Sequence, residues 1–112
     1  MPTREPVALP PHWFQILLAL ADHERHGTAI MQEVLERTGG RMRLWPAMLY
    51  RNLQKLAEEA LIAEVAGPGT PSAGSPRFYR ITASGRRTCA AEAERMASYV
   101  EAARAKRLVR KA

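Results

Sequence analysis

Apolar positions along the chain follow helical spacing in its first half, where they predict two helices. Residues 12–21 are apolar on nearly all sides, and the segment is too long and too rich in Leu and Ala for a strand. Residues 28–37 place Ile30, Met31, Val34 and Leu35 on one side of a second, amphipathic helix. A Gly-Gly pair at 39–40 follows this helix, and glycine is typical just past a helix end.

A third helix is predicted to begin at Pro46, because the first helical turn tolerates the missing N–H of proline. Its apolar positions form one narrow stripe, made of Leu49, Leu53, Leu56 and Ala60. The opposite face carries Ala47, Arg51, Gln54 and Glu58, and Met48, Tyr50 and Lys55 flank it. The pattern therefore predicts a helix with one buried edge and a polar, largely basic face.

The second half of the chain predicts a hairpin and a long helix. Residues 61–65 and 77–81 have strand-like composition and enclose a loop rich in Gly, Pro and Ser. From residue 83 to about residue 110 a last helix would be roughly 35–40 Å long. Its apolar line consists of Cys89, Ala93, Met96, Val100 and Ala103. Because so small a core cannot cover this length, we expect part of the line to contact another chain.

This order of elements predicts a mostly α fold with a two-stranded β wing, the winged helix-turn-helix, followed by a long C-terminal dimerisation helix. A chain of 112 residues fits one compact unit. Within it we expect an N-terminal extension over residues 1–11, a winged-helix DNA-binding region over residues 12–82, and the dimerisation helix over residues 83–112.

The net charge of +6 is unevenly distributed. Residues 1–40 carry a net charge of −2, residues 41–87 carry +5, and residues 88–112 carry +3. Clustered Lys and Arg are typical of proteins that bind a polyanion, although a solubilising surface gives the same pattern. One cysteine excludes an intrachain disulfide and a four-cysteine zinc site. No apolar run approaches the roughly 20 residues of a membrane span, so we expect a cytoplasmic protein.

In a winged helix the third helix enters the major groove and the hairpin lies against the DNA backbone or the neighbouring minor groove. Arg51, with Gln54, Lys55 and Tyr50 beside it, has donors long enough to reach bases and phosphates. The full set of candidate DNA-contacting residues is Arg41, Arg43, Pro46, Ala47, Met48, Tyr50, Arg51, Gln54, Lys55, Arg77 and Arg80. The alternative interpretation is that this face is only the solvated side of an amphipathic helix.

Three fragments together resemble the PadR family of transcriptional regulators. They are PAMLYRNLQKLAEEALI over residues 46–62, the His26-Gly27 pair, and RFYRIT over residues 77–82 followed by Gly85. The resemblance implies a sequence-specific repressor that dimerises through its C-terminal helix, as in the family's smaller subgroup. Two recognition helices roughly 34 Å apart would then require a near-palindromic operator.

The sequence departs from the family pattern at several positions. Ala47 and Met48 replace Gly and Thr, Thr28 replaces Tyr, and Ala60 replaces Gly. Trp45 stands where a small hydroxyl residue often caps the helix, and losing that cap costs about 1 kcal/mol. These departures affect individual DNA contacts more than the fold.

Other candidate sites have simpler alternatives. Trp13, Met96 and Tyr99, with Phe14 and Trp45, would suit a pocket for a small aromatic effector between subunits, but ordinary core and interface packing is the simpler explanation. The three histidines lack metal-ligand spacing, and we expect neither metal nor cofactor. Cys89 is either a redox switch or a small buried residue.

Two function classes remain. One is the DNA-binding regulator, and the other is a winged-helix adaptor that binds proteins, favoured by the apolar Trp45, Ala47 and Met48. An enzyme is not expected, because the sequence has no nucleophile–base pair, phosphate-binding glycine loop or paired carboxylates.

Overall fold

A computed structural model describes residues 8–69 and 74–110 of the chain. Within these residues the elements follow one another as α1 (Pro11–Ala19), β1 (Arg25–His26), α2 (Gly27–Arg37), α3 (Pro46–Glu58), β2 (Ile62–Val65), β3 (Phe78–Ile81) and α4 (Ala83–Ala105). The predicted winged-helix order is confirmed. Most of the predicted N-terminal extension and the middle of the hairpin loop lie outside the described residues.

The sheet has three strands where the sequence predicted two. All pairs are antiparallel, and β3 lies in the centre, between β1 and β2. In β2, Ile62 pairs with Ile81 and Val65 pairs with Phe78. The additional strand β1 pairs Arg25 with Tyr79 and His26 with Phe78. Two residues are too few to show strand alternation, so no strand is predicted there from the sequence.

Arg25 fixes the polar segment between α1 and α2. Its Nε donates to the carbonyl oxygen of Ala19 at 2.7 Å, which satisfies a carbonyl at the end of α1. Its Nη2 donates to the carboxylate of Glu33 on α2, also at 2.7 Å. Arg37 contacts the same carboxylate at 2.8 Å. The guanidinium of Arg25 thereby holds α1, α2 and β1 in one arrangement.

The core lies among α1, α2, α3 and one face of the sheet. Its largest fully buried side chains come from the three helices: Ile16, Leu17, Leu20, Ile30, Val34, Leu49, Leu53 and Leu56. The sheet adds Ile62, Tyr79 and Ile81, and the start of α4 adds Cys89. The leucines of the predicted α3 stripe are therefore buried, whereas Ala60, its last predicted member, is exposed.

Ala60 is exposed because it lies beyond the end of α3, in a left-handed conformation with φ of 59°. Its N–H donates to the carbonyl of Ala57 at 3.0 Å, and the N–H of Leu61 donates to that of Leu56, also at 3.0 Å. These are the two bonds of a Schellman motif, in which glycine is the usual residue at this position. An L-residue there carries strain of about 1–2 kcal/mol.

The junction between the hairpin and α4 depends on Thr82 and Gly85. The Thr82 hydroxyl accepts from the N–H of Gly85 at 3.0 Å and caps α4. The same hydroxyl donates to the carbonyl of Ala60 at 2.7 Å. Gly85 is buried, and a Cβ there would overlap the carbonyl oxygen of Leu61. The first turn of α4 therefore packs directly on the backbone that follows α3.

The helix α4 extends beyond the rest of the fold. The radius of gyration is 16.1 Å, against about 13 Å for a compact chain of this length. The helix ends at Ala105, earlier than the predicted residue 110, because Arg107 takes a left-handed conformation with φ of 61°. Among the described residues, no helix combines the length and apolarity needed to cross a bilayer.

Replacing Ala60 by glycine should stabilise the protein by about 0.5–1 kcal/mol, because glycine adopts the left-handed conformation without strain. Urea denaturation measures the change. The control is Ala90→Gly, an exposed position inside α4, which should lower the free energy of unfolding by about 1 kcal/mol. A loss of stability in both variants would contradict the strain assigned to Ala60.

Gly85→Ala should destabilise the protein by about 2–3 kcal/mol, because the added methyl group overlaps the Leu61 carbonyl. The sign is informative, since glycine to alanine inside an ordinary helix stabilises by roughly 0.5–1 kcal/mol. Thermal or urea unfolding tests it, and Gly85→Val should cost more than Gly85→Ala. A variant as stable as the parent chain would rule out the close packing described for this junction.

Candidate nucleic-acid interface

The face of α3 opposite its leucine stripe is exposed. Arg51, Gln54 and Lys55 are on the surface, and Tyr50 is 47% exposed. Gln54 donates a long hydrogen bond of 3.4 Å to the carboxylate of Glu58 one turn later. Pro46 and Ala47 are exposed at the start of the helix. Most of the residues predicted for the recognition face therefore share one solvent-accessible surface.

Met48 is the exception among the residues that open α3. It is partly buried and packs against the hydrophobic core. Its carbonyl accepts from the side-chain amide of Asn52 at 2.9 Å. Met48 is therefore less accessible than Pro46 and Ala47, and its contact with DNA stays a prediction.

Asn52 and Tyr50 fix the rotation of α3 about its axis. Asn52 Oδ1 accepts from the indole Nε1–H of Trp13 on α1 at 3.1 Å. Tyr50 lies against α2, where its hydroxyl is 2.6 Å from the position that a Cβ at Gly27 would occupy. Asn52 has no distinguishing signal in the sequence, because a polar residue next to an apolar stripe resembles ordinary surface until its partner on α1 is known.

His26 begins α2 and also contacts the wing. Its Nδ1 accepts from the N–H of Ala29 at 3.2 Å, which makes it the N-cap of the helix. Its ring meets Phe78 of β3 edge-on, with 5.3 Å between the ring centroids. From the sequence alone, His26 is only part of the His26-Gly27 fragment and has no indicated partner. In the structure the residue joins the second helix to the sheet.

A groove of about 670 Å³ separates α3 from the wing. Its walls include Tyr50, Gln54, Glu58, Glu64, Arg77 and Tyr79. Arg77 Nε lies 3.5 Å from the carboxylate of Glu64, and both side chains are largely exposed. Burial, and secondarily the charge of Glu64, raise the pKa of Tyr79, so this phenol stays neutral. The groove thus joins the recognition face to one arginine of the wing.

Arg80 does not lie in this groove. It alternates along β3 with the buried Tyr79 and Ile81, which point into the core. Its strand partner is Ala63, on the sheet face directed away from the helices. Both arginines are predicted DNA-contacting residues of the wing. In the structure Arg77 lines the groove just before β3, whereas Arg80 lies on the sheet face away from the core.

Arg41, Arg43 and Trp45 precede α3 and are all exposed. The guanidinium carbon of Arg43 lies 5.3 Å from the centroid of the Trp45 ring, within the range of a cation–π contact. Trp45 occupies the N-cap position without a side-chain hydrogen bond to the helix. The predicted loss of a helix cap is therefore present, and the indole lies on the surface at the tip of α3.

Comparison with known proteins identifies the family. The model of the transcriptional regulator PadR-like family matches residues 16–91, more than half of the chain. The chain belongs to this family. The expectation drawn from the three sequence fragments is thereby confirmed, and the winged helix described above is the family's fold.

Solved structures agree with this fold. A PadR family transcription regulator from Clostridium difficile has 18% identity and a TM-score of 0.72, with 85% of this chain and 96% of that chain covered. A transcriptional regulator from Clostridium thermocellum has 18% identity and a TM-score of 0.70, with coverages of 88% and 90%. Bacillus subtilis PadR, solved in complex with operator DNA, has 26% identity and a TM-score of 0.58, with coverages of 69% and 44%. No curated protein matches the chain significantly.

The residues predicted for dimerisation of this PadR-like chain are not all on one surface. Cys89 is 6% exposed and belongs to the chain's own core. Burial raises the pKa of its thiol, which disfavours the reactive thiolate of a redox switch. Ala93 and Val100 are exposed, and Met96 and Ala103 are half-buried. The exposed apolar part of α4 therefore begins after Cys89 and includes Tyr99, which is 61% exposed.

The residues predicted for an effector pocket are dispersed in the described chain. The indole N–H of Trp13 donates a hydrogen bond to Asn52 on α3. Trp45 lies at the N-terminal tip of α3. Tyr99 projects from α4 beneath the guanidinium of Arg95, which lies 5.7 Å from its ring centroid. A pocket between subunits would need a second chain to complete it, and it stays a prediction.

Glu92 is a buried carboxylate with a structural explanation. Its oxygens accept from Arg95 at 2.5 Å and from the N–H of Leu9 at 3.4 Å. The hydrogen bond from Arg95 is the main cause that lowers the pKa of Glu92, so the group stays ionised. This pair joins the chain before α1 to the middle of α4 and offers no free acid or base.

Proposed function

We propose that this PadR-like chain binds double-stranded DNA and represses transcription as a homodimer on a near-palindromic operator. The observation that carries the proposal is the exposed basic face of α3, with Arg51, Gln54 and Lys55 in front of a buried leucine stripe. A helix with this exposure fits the major groove and presents donors to bases and phosphates. The operator complex of Bacillus subtilis PadR supports the same use of the fold.

The charge distribution supports DNA as the partner. Residues 41–87, which contain α3 and the wing, carry a net charge of +5, whereas residues 1–40 carry −2. Each phosphate neutralised by Lys or Arg releases condensed counterions, so this surface gains affinity for DNA at low salt. Arg77 would approach the backbone from the wing, while Arg41 and Arg43 would approach it from the start of α3.

Exposed apolar side chains on α4 and just after it support the homodimer. In α4, Tyr99 is 61% exposed and Val100 is 40%. Beyond its end, Leu108 is 77% exposed and Val109 is 43%. Large exposed apolar side chains close together are typical of an interface. In a two-fold dimer the same patch serves both copies, and two α3 helices would then meet successive major grooves on one side of the duplex. Occupancy of an operator near a promoter would repress transcription in the cytoplasm.

The adaptor hypothesis retains one supporting observation, the 62% exposure of Trp45 at the tip of α3. Ionic strength separates the two functions. DNA affinity should fall steeply between about 50 and 200 mM salt, because the free energy gained from counterion release decreases as the salt concentration rises. Affinity for an apolar protein surface should change little over the same range.

Arg51→Ala should weaken operator binding by about 5–150-fold, the range for losing an arginine that reads a base. Fluorescence anisotropy with duplexes from the gene's own upstream region measures this effect. Lys106→Ala is the matched control, because it removes the same charge at the far end of α4. Equal losses in the two variants would mean that net charge, and not the α3 face, determines binding.

The wild-type chain provides the wider test in the same assay. Specific complexes are usually at least about 10³-fold tighter than complexes with random DNA at physiological salt. If no upstream duplex is preferred over random DNA, the assignment as a sequence-specific regulator is wrong.

Val100→Glu should weaken self-association at least about tenfold, because a charge would be buried in each half of a symmetric interface. Sedimentation velocity measures this directly. Ser98→Glu is the control, since Ser98 is exposed and two residues away, on the opposite side of α4. A variant that remains as dimeric as the parent chain would exclude this face of α4 as the interface.

A further inference from the structure

Trp45 is placed where it contributes little to folding. Its side chain is 62% exposed. It occupies the N-cap of α3 but makes no side-chain hydrogen bond to the helix. Ser, Thr, Asn or Asp at an N-cap would satisfy a free backbone N–H, and these are the preferred residues. Apart from the exposed cation–π contact with Arg43, a residue that gives up the cap and leaves most of a large ring in water gains little for the fold, so a functional role is the better explanation.

The surroundings of Trp45 form an apolar tip on a basic surface. Pro46 and Ala47 follow it and are also exposed, so three consecutive apolar residues open the helix. Trp45 and Pro46 line one side of a depression of about 270 Å³ shared with α2. The guanidinium of Arg43 lies over the indole ring, and Arg41 is exposed nearby. The arginines favour a polyanion, whereas the tip itself offers almost no polar group.

We propose that this apolar tip, Trp45 with Pro46 and Ala47, is a specificity element that contacts the 5-methyl group of thymine in the major groove. The inference rests on the proposed DNA-binding function. In a helix-turn-helix the N-terminal residues of the recognition helix meet the base edges.

The chemistry of the base edges selects thymine as the target. Apart from the thymine methyl, the groups that distinguish bases in the major groove are hydrogen-bond donors or acceptors. An apolar side chain pressed against those groups leaves them without partners, which costs affinity. Against a methyl group it buries apolar surface and gains affinity. The indole N–H of Trp45 is a single donor, and Pro46 and Ala47 have no polar side-chain atoms to add.

The test uses a random-sequence duplex library synthesised with thymine. Duplexes selected from it are then remade with uracil, which lacks only the methyl group. Selection by the wild-type chain from the library should enrich thymine at a fixed position in each half-site. The selected duplex remade with uracil at that position should bind about fourfold more weakly for each methyl group removed. This is the affinity lost when the burial of one CH₂-sized group is lost. Trp45→Ala should bind the thymine and uracil duplexes equally.

Two further variants keep the test interpretable. Trp45→Phe should keep part of the preference for thymine, because an aromatic apolar surface remains. Lys106→Ala should keep all of it, because it is remote from α3. Circular dichroism of Trp45→Ala checks that the fold is retained, as the exposure of the side chain predicts.

The outcomes separate this inference from the function on which it rests. Specific binding that ignores the methyl group, or a loss in Trp45→Ala that is equal on thymine and uracil duplexes, overturns the inference and leaves the DNA-binding function intact. Failure of the wild-type chain to enrich any sequence overturns both. Unchanged DNA binding by Trp45→Ala overturns the inference and favours a protein partner for the tip.

Discussion

Burial of the leucine stripe on α3 is the constraint on which the rest of the structure depends. Leu49, Leu53 and Leu56 are almost completely inaccessible, and they repeat at intervals of four and three residues. Because the stripe is narrow, its burial fixes which side of the helix faces solvent. Arg51 and Gln54 therefore owe their exposure to the leucines behind them. Asn52, held by the indole of Trp13, removes the remaining freedom of rotation.

A second constraint ties the wing to this helix through backbone atoms. Ala60 and Leu61 end α3, and the same two residues receive Thr82 and Gly85 from the start of α4. The two ends of the hairpin therefore lie next to each other, just after the end of α3. Since Arg77 directly precedes β3, the strand that returns to this point, its position relative to α3 depends on contacts at Ala60, Leu61, Thr82 and Gly85. Strain at Ala60 is tolerated because both hydrogen bonds of the helix end are still made.

The sequence was sufficient for the features that depend on local periodicity. The helices, the hairpin strands and the exposed face of α3 follow from spacings within a few residues, and the family resemblance follows from short fragments. Features that depend on distant partners were missed. The strand at His26 exists because Phe78 pairs with it, 52 positions away along the chain. Cys89 looked like part of an outward stripe, but α4 turns that position into the core. Arg80 was grouped with Arg77, because strand alternation alone does not say which face of the sheet the helices cover.

Ala60 and Trp45 both depart from the family pattern at an end of α3, where each is an unfavourable residue for its position. At Ala60 the left-handed backbone conformation is unfavourable for alanine, but both backbone hydrogen bonds of the helix end are made, so the fold tolerates the strain. At Trp45 the helix loses its cap, and neither a hydrogen bond to the helix nor burial compensates. Because the lost cap lowers the stability of the helix and is not compensated in these ways, a contact between Trp45 and a binding partner is the better explanation for the residue. Since the surrounding surface is basic and a winged helix inserts this helix into DNA, the proposed contact with the thymine methyl group would give the exposed indole an apolar partner.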